Sequence, residues 1–209
     1  MRVLITGAGR GIGAGLLAAY RDGGHVAFGT VRGRPGAGEI GMDVRDPVSV
    51  AEAAEAFGAG PLDLLICNAG VLPRGAAPDL WAEGFAVNVT GVFLTAQAFL
   101  PALRRAEGAK IAILASAMGS STRAPGGSYI YRASKAAAVN LGRNLATDLR
   151  PEGIAVGIYH PGWVKTGMGG APAEITVAQS VGGLMARIEA LSPATSGVFE
   201  DWAGRPVPF

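Results

Sequence analysis

Short apolar runs rich in β-branched residues alternate along the chain with longer Ala- and Leu-rich stretches whose apolar positions recur at helical spacing. The runs predict seven strands, at Val3 to Thr6, Val26 to Val31, Glu39 to Asp43, Leu62 to Cys67, Lys110 to Ser116, Ile154 to Tyr159 and Gly197 to Asp201. Between them the periodicity predicts helices over Ile12 to Arg21, Pro47 to Phe57, Trp81 to Arg105 with a bend or break near Pro101, Tyr129 to Leu149, and Thr176 to Leu191. Arg32 to Gly38 holds three glycines and Pro35, so a loop is expected where the second crossover would otherwise carry a helix. Strands that are apolar throughout and alternate with helices imply an α/β fold: a Rossmann-type, doubly wound parallel sheet of about seven strands with helices on both faces. No composition break divides the 209 residues, so one domain is expected over 1–209.

Composition narrows the function classes. A net charge of +2 argues against a nucleic-acid stripe. A lone Cys67 cannot form an intramolecular bridge, Met1-Arg2 leads straight into a strand, and no uninterrupted apolar run approaches the ~18 residues of a membrane span. The expectation is a soluble cytoplasmic protein without membrane or nucleic-acid partners. His25 and His160 have no histidine or paired carboxylate at ligand spacing, so no metal site is expected and both read as structural.

Two patterns carry chemistry. Gly7, Gly9, Gly11 and Gly13 fall between the first strand and the first helix, where glycine lets the backbone approach a pyrophosphate and the helix N-terminus favours its charge. Tyr131 and Lys135 lie four residues apart on a predicted helix, hence on one face, and a cation beside a phenol lowers its pKa toward that of a useful general acid. An acid about 20 residues beyond such a glycine loop would hold the ribose 2′-hydroxyl of NAD. No Asp or Glu occurs between Asp22 and Glu39, whereas Arg10, Arg32 and Arg34 can surround a 2′-phosphate, so NADP(H) is expected over NAD(H).

Together these motifs resemble the short-chain dehydrogenase/reductase family over essentially the whole chain. Thr6 to Gly13, with Gly7, Gly9, Arg10, Gly11, Ile12 and Gly13, is similar to its cofactor loop, and Asn68-Ala69-Gly70 to its strand-four motif, although Cys67 stands where that motif usually has a first asparagine. The resemblance implies a catalytic set of Ser116, Tyr131, Lys135 and Asn88, with Ser120 or Ser121 as weaker alternatives to Ser116 because the gap to Tyr131 is slightly long. It further implies cofactor contacts from Asp43, Val44, Pro161, Gly162, Val164 and Thr166, and from Arg32, Tyr131 and Lys135. The segments Tyr131 to Lys135 and His160 to Gly170 more narrowly resemble the C-factor-like carbonyl reductases. The expected activity is NADPH-dependent reduction of a ketone, aldehyde or quinone-like carbonyl, with Asn88 ordering a water that resupplies the proton and with Leu72, Met118, Trp163 and Met168 walling an apolar substrate pocket. A homodimer through the two long helices is implied by the same likeness. The alternatives are a non-catalytic nucleotide-binding signalling or sensor protein on the same fold and an NAD-linked alcohol dehydrogenase.

Overall fold

The computed structural model describes residues 1–209. Seven parallel strands form one sheet: β1 (Arg2–Ile5), β2 (Val26–Val31), β3 (Glu39–Gly41), β4 (Leu64–Cys67), β5 (Lys110–Leu114), β6 (Ala155–His160) and β7 (Phe199–Asp201), in the order β3-β2-β1-β4-β5-β6-β7. The six helices are α1 (Gly11–Asp22), α2 (Pro47–Phe57), α3 (Pro78–Phe85), α4 (Gly91–Leu103), α5 (Tyr129–Leu149) and α6 (Val177–Ala190).

The period of two along each strand sorts the core into two layers. Val3, Ile5, Leu64, Ile66, Ala112 and Leu114 meet Leu16, Leu17 and Tyr20 of α1 and Val181, Leu184 and Ile188 of α6. Leu4, Leu65, Cys67, Ile111 and Ile113 point the other way, onto Val50 and Phe57 of α2, Phe99 and Leu103 of α4, and Leu145 and Leu149 of α5. With both faces covered, the central strands β1, β4, β5 and β6 are almost wholly apolar, whereas the edge strands β3 and β7 carry Glu39, Glu200 and Asp201. A third, small cluster of Ala115, Val139, Ile158, Phe199 and Val207 closes the β7 end. Strand order reverses direction between β1 and β4, which opens a crevice above their carboxyl ends.

Helix starts follow local chemistry. Asp46 caps α2 by accepting the Val48 N–H at 2.9 Å, with Pro47 at the first helical position. Thr176 and Gln179 make a reciprocal capping box at α6. α1 is different: its cap residue Arg10 makes no side-chain bond, and no acid lies in the first turn.

The expected single helix over Trp81 to Arg105 is divided otherwise than the sequence suggests. It starts earlier, at Pro78, and its irregularity is a π-helical turn at Ala86–Thr90 around Asn88. α4 runs on through Pro101, which is exposed and within three residues of the helix end, so the bond its ring removes lies at the solvent face. The 78–103 segment is apolar and long enough to cross a membrane, but α4 packs against α2, β4 and β5 and α3 against α5, so its apolarity is that of a core helix. Expected strands overshoot by one or two residues where Thr6, Asp43, Ala115 and Ser116 leave the ladder to shape the crevice. The Arg32 to Gly38 loop is as expected.

Candidate active site

A cavity of about 460 Å³ runs across the carboxyl ends of β1, β2, β4 and β5. One end is walled by Gly7, Gly9, Arg10, Gly11 and Ile12, the middle by Asn68, Ala69 and Gly70, and the far end by Leu114, Ala115, Tyr131, Lys135, Pro161, Thr166 and Met168. Its volume suits an extended cofactor-sized molecule.

Each glycine of the loop has its own task. Gly7 and Gly11 hold φ of +66° and +58°, conformations that side chains rarely adopt. A Cβ at Gly13 would lie 2.4 Å from the Gly7 carbonyl oxygen and 2.5 Å from Asn68 Nδ2, so this glycine allows α1 to pack against the loop rather than lining the cavity. The N–H groups of Gly11, Ile12 and Gly13 begin α1 without an intrahelical or capping partner and face an anion with the positive end of the helix dipole.

Polar bonds tie the strand ends together. The Asn68 and Ala69 N–H groups donate to Thr6 Oγ1 at 3.0 and 2.9 Å, and Asn68 Nδ2 donates to the Thr6 and Gly7 carbonyls at 2.8 and 3.1 Å. The Ala8 N–H donates to the Thr30 carbonyl at 2.9 Å. Arg10 and Arg32 line the cavity and Arg34 does not. Asp43 is held below the ordinary carboxylate range mainly by its hydrogen bonds to Arg45, with Arg32 adding to the effect.

At the far end burial pushes the phenol of Tyr131 up, and the Ser116 hydroxyl beside it partly offsets this. Lys135 is buried and donates to the Leu114 carbonyl at 2.8 Å, with its ammonium 5.8 Å from the centroid of the Tyr131 ring. Burial lowers its pKa to about 8. The expectation that Lys135 depresses the tyrosine is therefore corrected in this state: desolvation dominates both groups, the ammonium is spent on a backbone carbonyl, and Ser116 supplies the only downward pull. Ser116, which also accepts the Met118 N–H at 3.1 Å, holds its position beside the phenol. Ser120 accepts the Arg123 N–H at 3.2 Å, and Ser121 is exposed.

Asn88 is 0% exposed and held by protein on both amide atoms: Oδ1 accepts the Val71 N–H at 2.9 Å, while Nδ2 donates to the Val71 carbonyl and to Ser134 Oγ, both at 3.0 Å. Ser134 passes the link on to the Tyr131 carbonyl at 3.0 Å. One lone pair of Oδ1 stays free. Gly70 leaves room beside it, since a Cβ there would lie 3.3 Å from Asn88 Oδ1 and 3.6 Å from Lys135 Nζ.

Of the expected cofactor residues, Gly13, Gly162 and Val164 lie behind the cavity wall rather than on it. Gly162 holds φ +88° against Trp202 and Ile175, and Val164 is buried and bridged to Ile175. Among the expected substrate residues only Met168 reaches the cavity; Leu72 and Met118 do not, and Trp163 is 47% exposed, its indole N–H donating to the Gly169 carbonyl at 2.9 Å. Thr30, Val31, Met42, Val71 and Val87 line the cavity without having been singled out. Thr30, Val31 and Met42 stand at or just beyond strand ends, which was the available signal; Val71 and Val87 carry none. His160 is half-buried with its pKa lowered to about 4 by desolvation, and His25 packs 5.7 Å from the Tyr20 ring. No cluster of metal-ligating side chains is present.

A doubly wound sheet with a glycine-rich first turn, an uncapped α1 and a cleft at the switch point defines a dinucleotide-binding α/β protein. A Tyr-Lys pair at the end of that cleft gives it the features of an oxidoreductase. Residues 1–174 match the family model described as short chain dehydrogenase, and the chain belongs to this family. It is 41% identical over 157 residues to the C-signal protein of Myxococcus xanthus, covering 72% of this chain and 94% of that one. Among solved structures, the NADPH-bound carbonyl reductase from chicken fatty liver is 32% identical with a TM-score of 0.91, over 100% of this chain and 98% of that one. The carbonyl reductase Sniffer of D. melanogaster is 28% identical with a TM-score of 0.89, over 100% and 99%. The chain is thus a family member of the C-factor and carbonyl reductase type.

Proposed function

We propose that the protein reduces a small apolar ketone, aldehyde or quinone-like carbonyl at the expense of NADPH. The observation that carries this reading is the trio at the cleft end: half-buried Tyr131 lines the cavity with buried Lys135, one turn away and 5.8 Å from its ring, and buried Ser116 stands beside Tyr131 behind the wall. The cavity residues fit a dinucleotide, because Gly7 and Gly11 form a cradle that a Cβ would fill and the α1 N–H groups have no other partner. Arg10 and Arg32 hold the 2′-phosphate, which favours NADP(H), as does the absence of an acid on the end of β2. A bound reduced nicotinamide supplies the hydride.

The chain's own residues supply the rest. Ser116 hydrogen-bonds the carbonyl oxygen and stabilises the charge that develops there, and Tyr131 donates its proton to the same oxygen. Lys135 keeps two donors beyond its bond to Leu114, enough to hold the ribose and a water toward Asn88 Oδ1 through the gap at Gly70, by which the phenol is reprotonated. Leu114, Ala115, Val71 and Met168 exclude bulk water around the reacting atoms. The same reading includes a cytoplasmic homodimer packed through the outward faces of α4 and α5, where Phe93 is 43% exposed.

The test is NADPH oxidation followed at 340 nm across a panel of small carbonyls. Tyr131→Phe is expected to lose about 10²- to 10⁴-fold in kcat while keeping thermal stabilisation by NADPH. Likeness to a protein named C-signal favours a second reading, a nucleotide-binding signalling protein without turnover. That reading prevails if the parent binds NADPH yet reduces no member of a broad panel.

A further inference from the structure

The segment joining Ser116 to Tyr131 is open chain from Ser121 to Ser128, all of it exposed. Gly126 and Gly127 hold φ of +86° and +68°, and Ser128, at φ +46°, is the only residue other than glycine in the left-handed region. Within the segment, the Arg123 N–H reaches Ser120 Oγ at 3.2 Å and the Arg132 N–H reaches the Ser128 carbonyl at 2.9 Å. Its only hydrogen bonds to a distant part of the chain come from Thr122, whose N–H at 2.9 Å and whose hydroxyl both donate to the main-chain oxygen of Phe209.

Phe209 is itself seated. Its ring lies 5.9 Å from the Phe199 ring of β7, and the Arg143 guanidinium of α5 stands 4.0 Å from its centroid. The residues before it form a strap along the outer edge of β7: Asp201 N–H to the Arg205 carbonyl and Val207 N–H to the Phe199 carbonyl, both at 2.9 Å. Val207 anchors the strap in the cluster that also contains Ala115, the neighbour of Ser116. The strap thus grips the start, at Thr122, of the open segment that separates two residues of the site.

We propose that Phe209 and Thr122 form a latch that positions the 120–128 segment, and through it Ser116, at the substrate end of the cleft. Both are positioning residues; neither lines the cavity. The consequence for turnover rests on the function proposed above, whereas the mechanical part does not. Releasing the latch frees the segment without disturbing the glycine loop or α1, so substrate handling changes and cofactor affinity does not.

Two measurements on the full chain test this. Trypsin can cut the segment only after Arg123, and the new terminus at Ala124 is quantified by mass spectrometry. Phe209→Ala is expected to speed that cleavage about tenfold under native conditions, because the ring contacts to Phe199 and Arg143 that seat the oxygen reached by Thr122 are lost and local opening becomes easier. The same variant raises the carbonyl KM about tenfold, with kcat changed less and the NADPH dissociation constant within twofold of the parent. Phe209→Tyr restores both readouts, and Thr122→Val, which keeps the N–H, gives intermediate values. Should Phe209→Ala fail to fold, Thr122→Val at an exposed position carries both readouts alone. Parent-like cleavage and KM in these variants overturn the latch, as does a loss of NADPH affinity in step with KM, which would mean general loosening. A parent without carbonyl turnover counts against the proposed function, and the cleavage rates then still decide for or against the latch.

Discussion

Lys135→Met separates stability from activity. The buried ammonium, whose pKa falls from the ordinary 10.5 to about 8, holds about 3 kcal/mol against the folded state while it is charged. Methionine fills a similar volume without charge, but it leaves the Leu114 carbonyl without the donor at 2.8 Å, which costs about 1 kcal/mol. The variant is therefore expected to be more stable than the parent at pH 7 by about 2 kcal/mol, or roughly 4–8 °C in Tm for a domain of this size. The sign reverses with pH in a defined window. Folded parent releases the lysine proton near pH 8 and unfolded parent only near 10.5, so between these values the unfolded chain binds more protons and the parent gains stability as pH rises. The advantage of the variant shrinks across that window and becomes a deficit of about 1 kcal/mol above it. Thermal unfolding of both proteins without cofactor, followed by circular dichroism from pH 7 to 10.5, reads the difference directly, and carbonyl reduction by the variant is expected to be lost by more than about 10²-fold. A variant less stable than the parent by the same margin at every pH would refute the reasoning.

Other expectations follow from the same geometry. Gly13→Ala drives a methyl into the Gly7 carbonyl and Asn68 Nδ2, straining two hydrogen bonds and the packing of α1, for a loss of about 3 kcal/mol seen as a drop of roughly 6–12 °C in Tm. Asn88→Ala leaves the Val71 N–H and carbonyl without partners and removes the donor to Ser134 Oγ, whose own bond to the Tyr131 carbonyl remains, and costs about 2–4 kcal/mol in urea denaturation, against about 1 for Ser134→Ala; equal effects would show that the π-helical turn does not depend on this amide. Arg32→Asp is expected to cut the affinity for NADPH by about tenfold or more and raise that for NADH, measured by fluorescence titration; an unchanged preference removes Arg32 from the phosphate site.

Much of this architecture is legible where the physics is local. α5 spans Tyr129–Leu149 as its periodicity indicates, because the apolar stripe is continuous and Gly126 and Gly127 fence its start. The glycine loop is readable because its glycines sit at a strand-to-helix boundary. What failed depends on distant partners. The turn at Asn88 gives no sign in the apolar run from Phe85 to Phe93, since it is held by Val71 and Ser134, whereas Pro101 attracts suspicion at a place where the fold tolerates it. Likewise four-residue spacing puts Lys135 near Tyr131 without revealing that β5 offers the ammonium a carbonyl. Substrate-facing positions were hardest, because Leu72, Met118 and Trp163 lie on connections whose direction no periodicity fixes.

The strap that carries Phe209 also changes how the molecule meets its neighbours. Terminal ribbons of open sheets invite another polypeptide to extend them, which leads to runaway association. Here residues 205–207 of the same chain cover that border: Pro206 bridges Glu200 in antiparallel fashion, and Arg205 and Val207 take up the outward-facing groups of Asp201 and Phe199. A second copy can extend the ladder at β7 only after peeling those residues away, so truncation before Arg205 turns a self-sealed margin into an adhesive one.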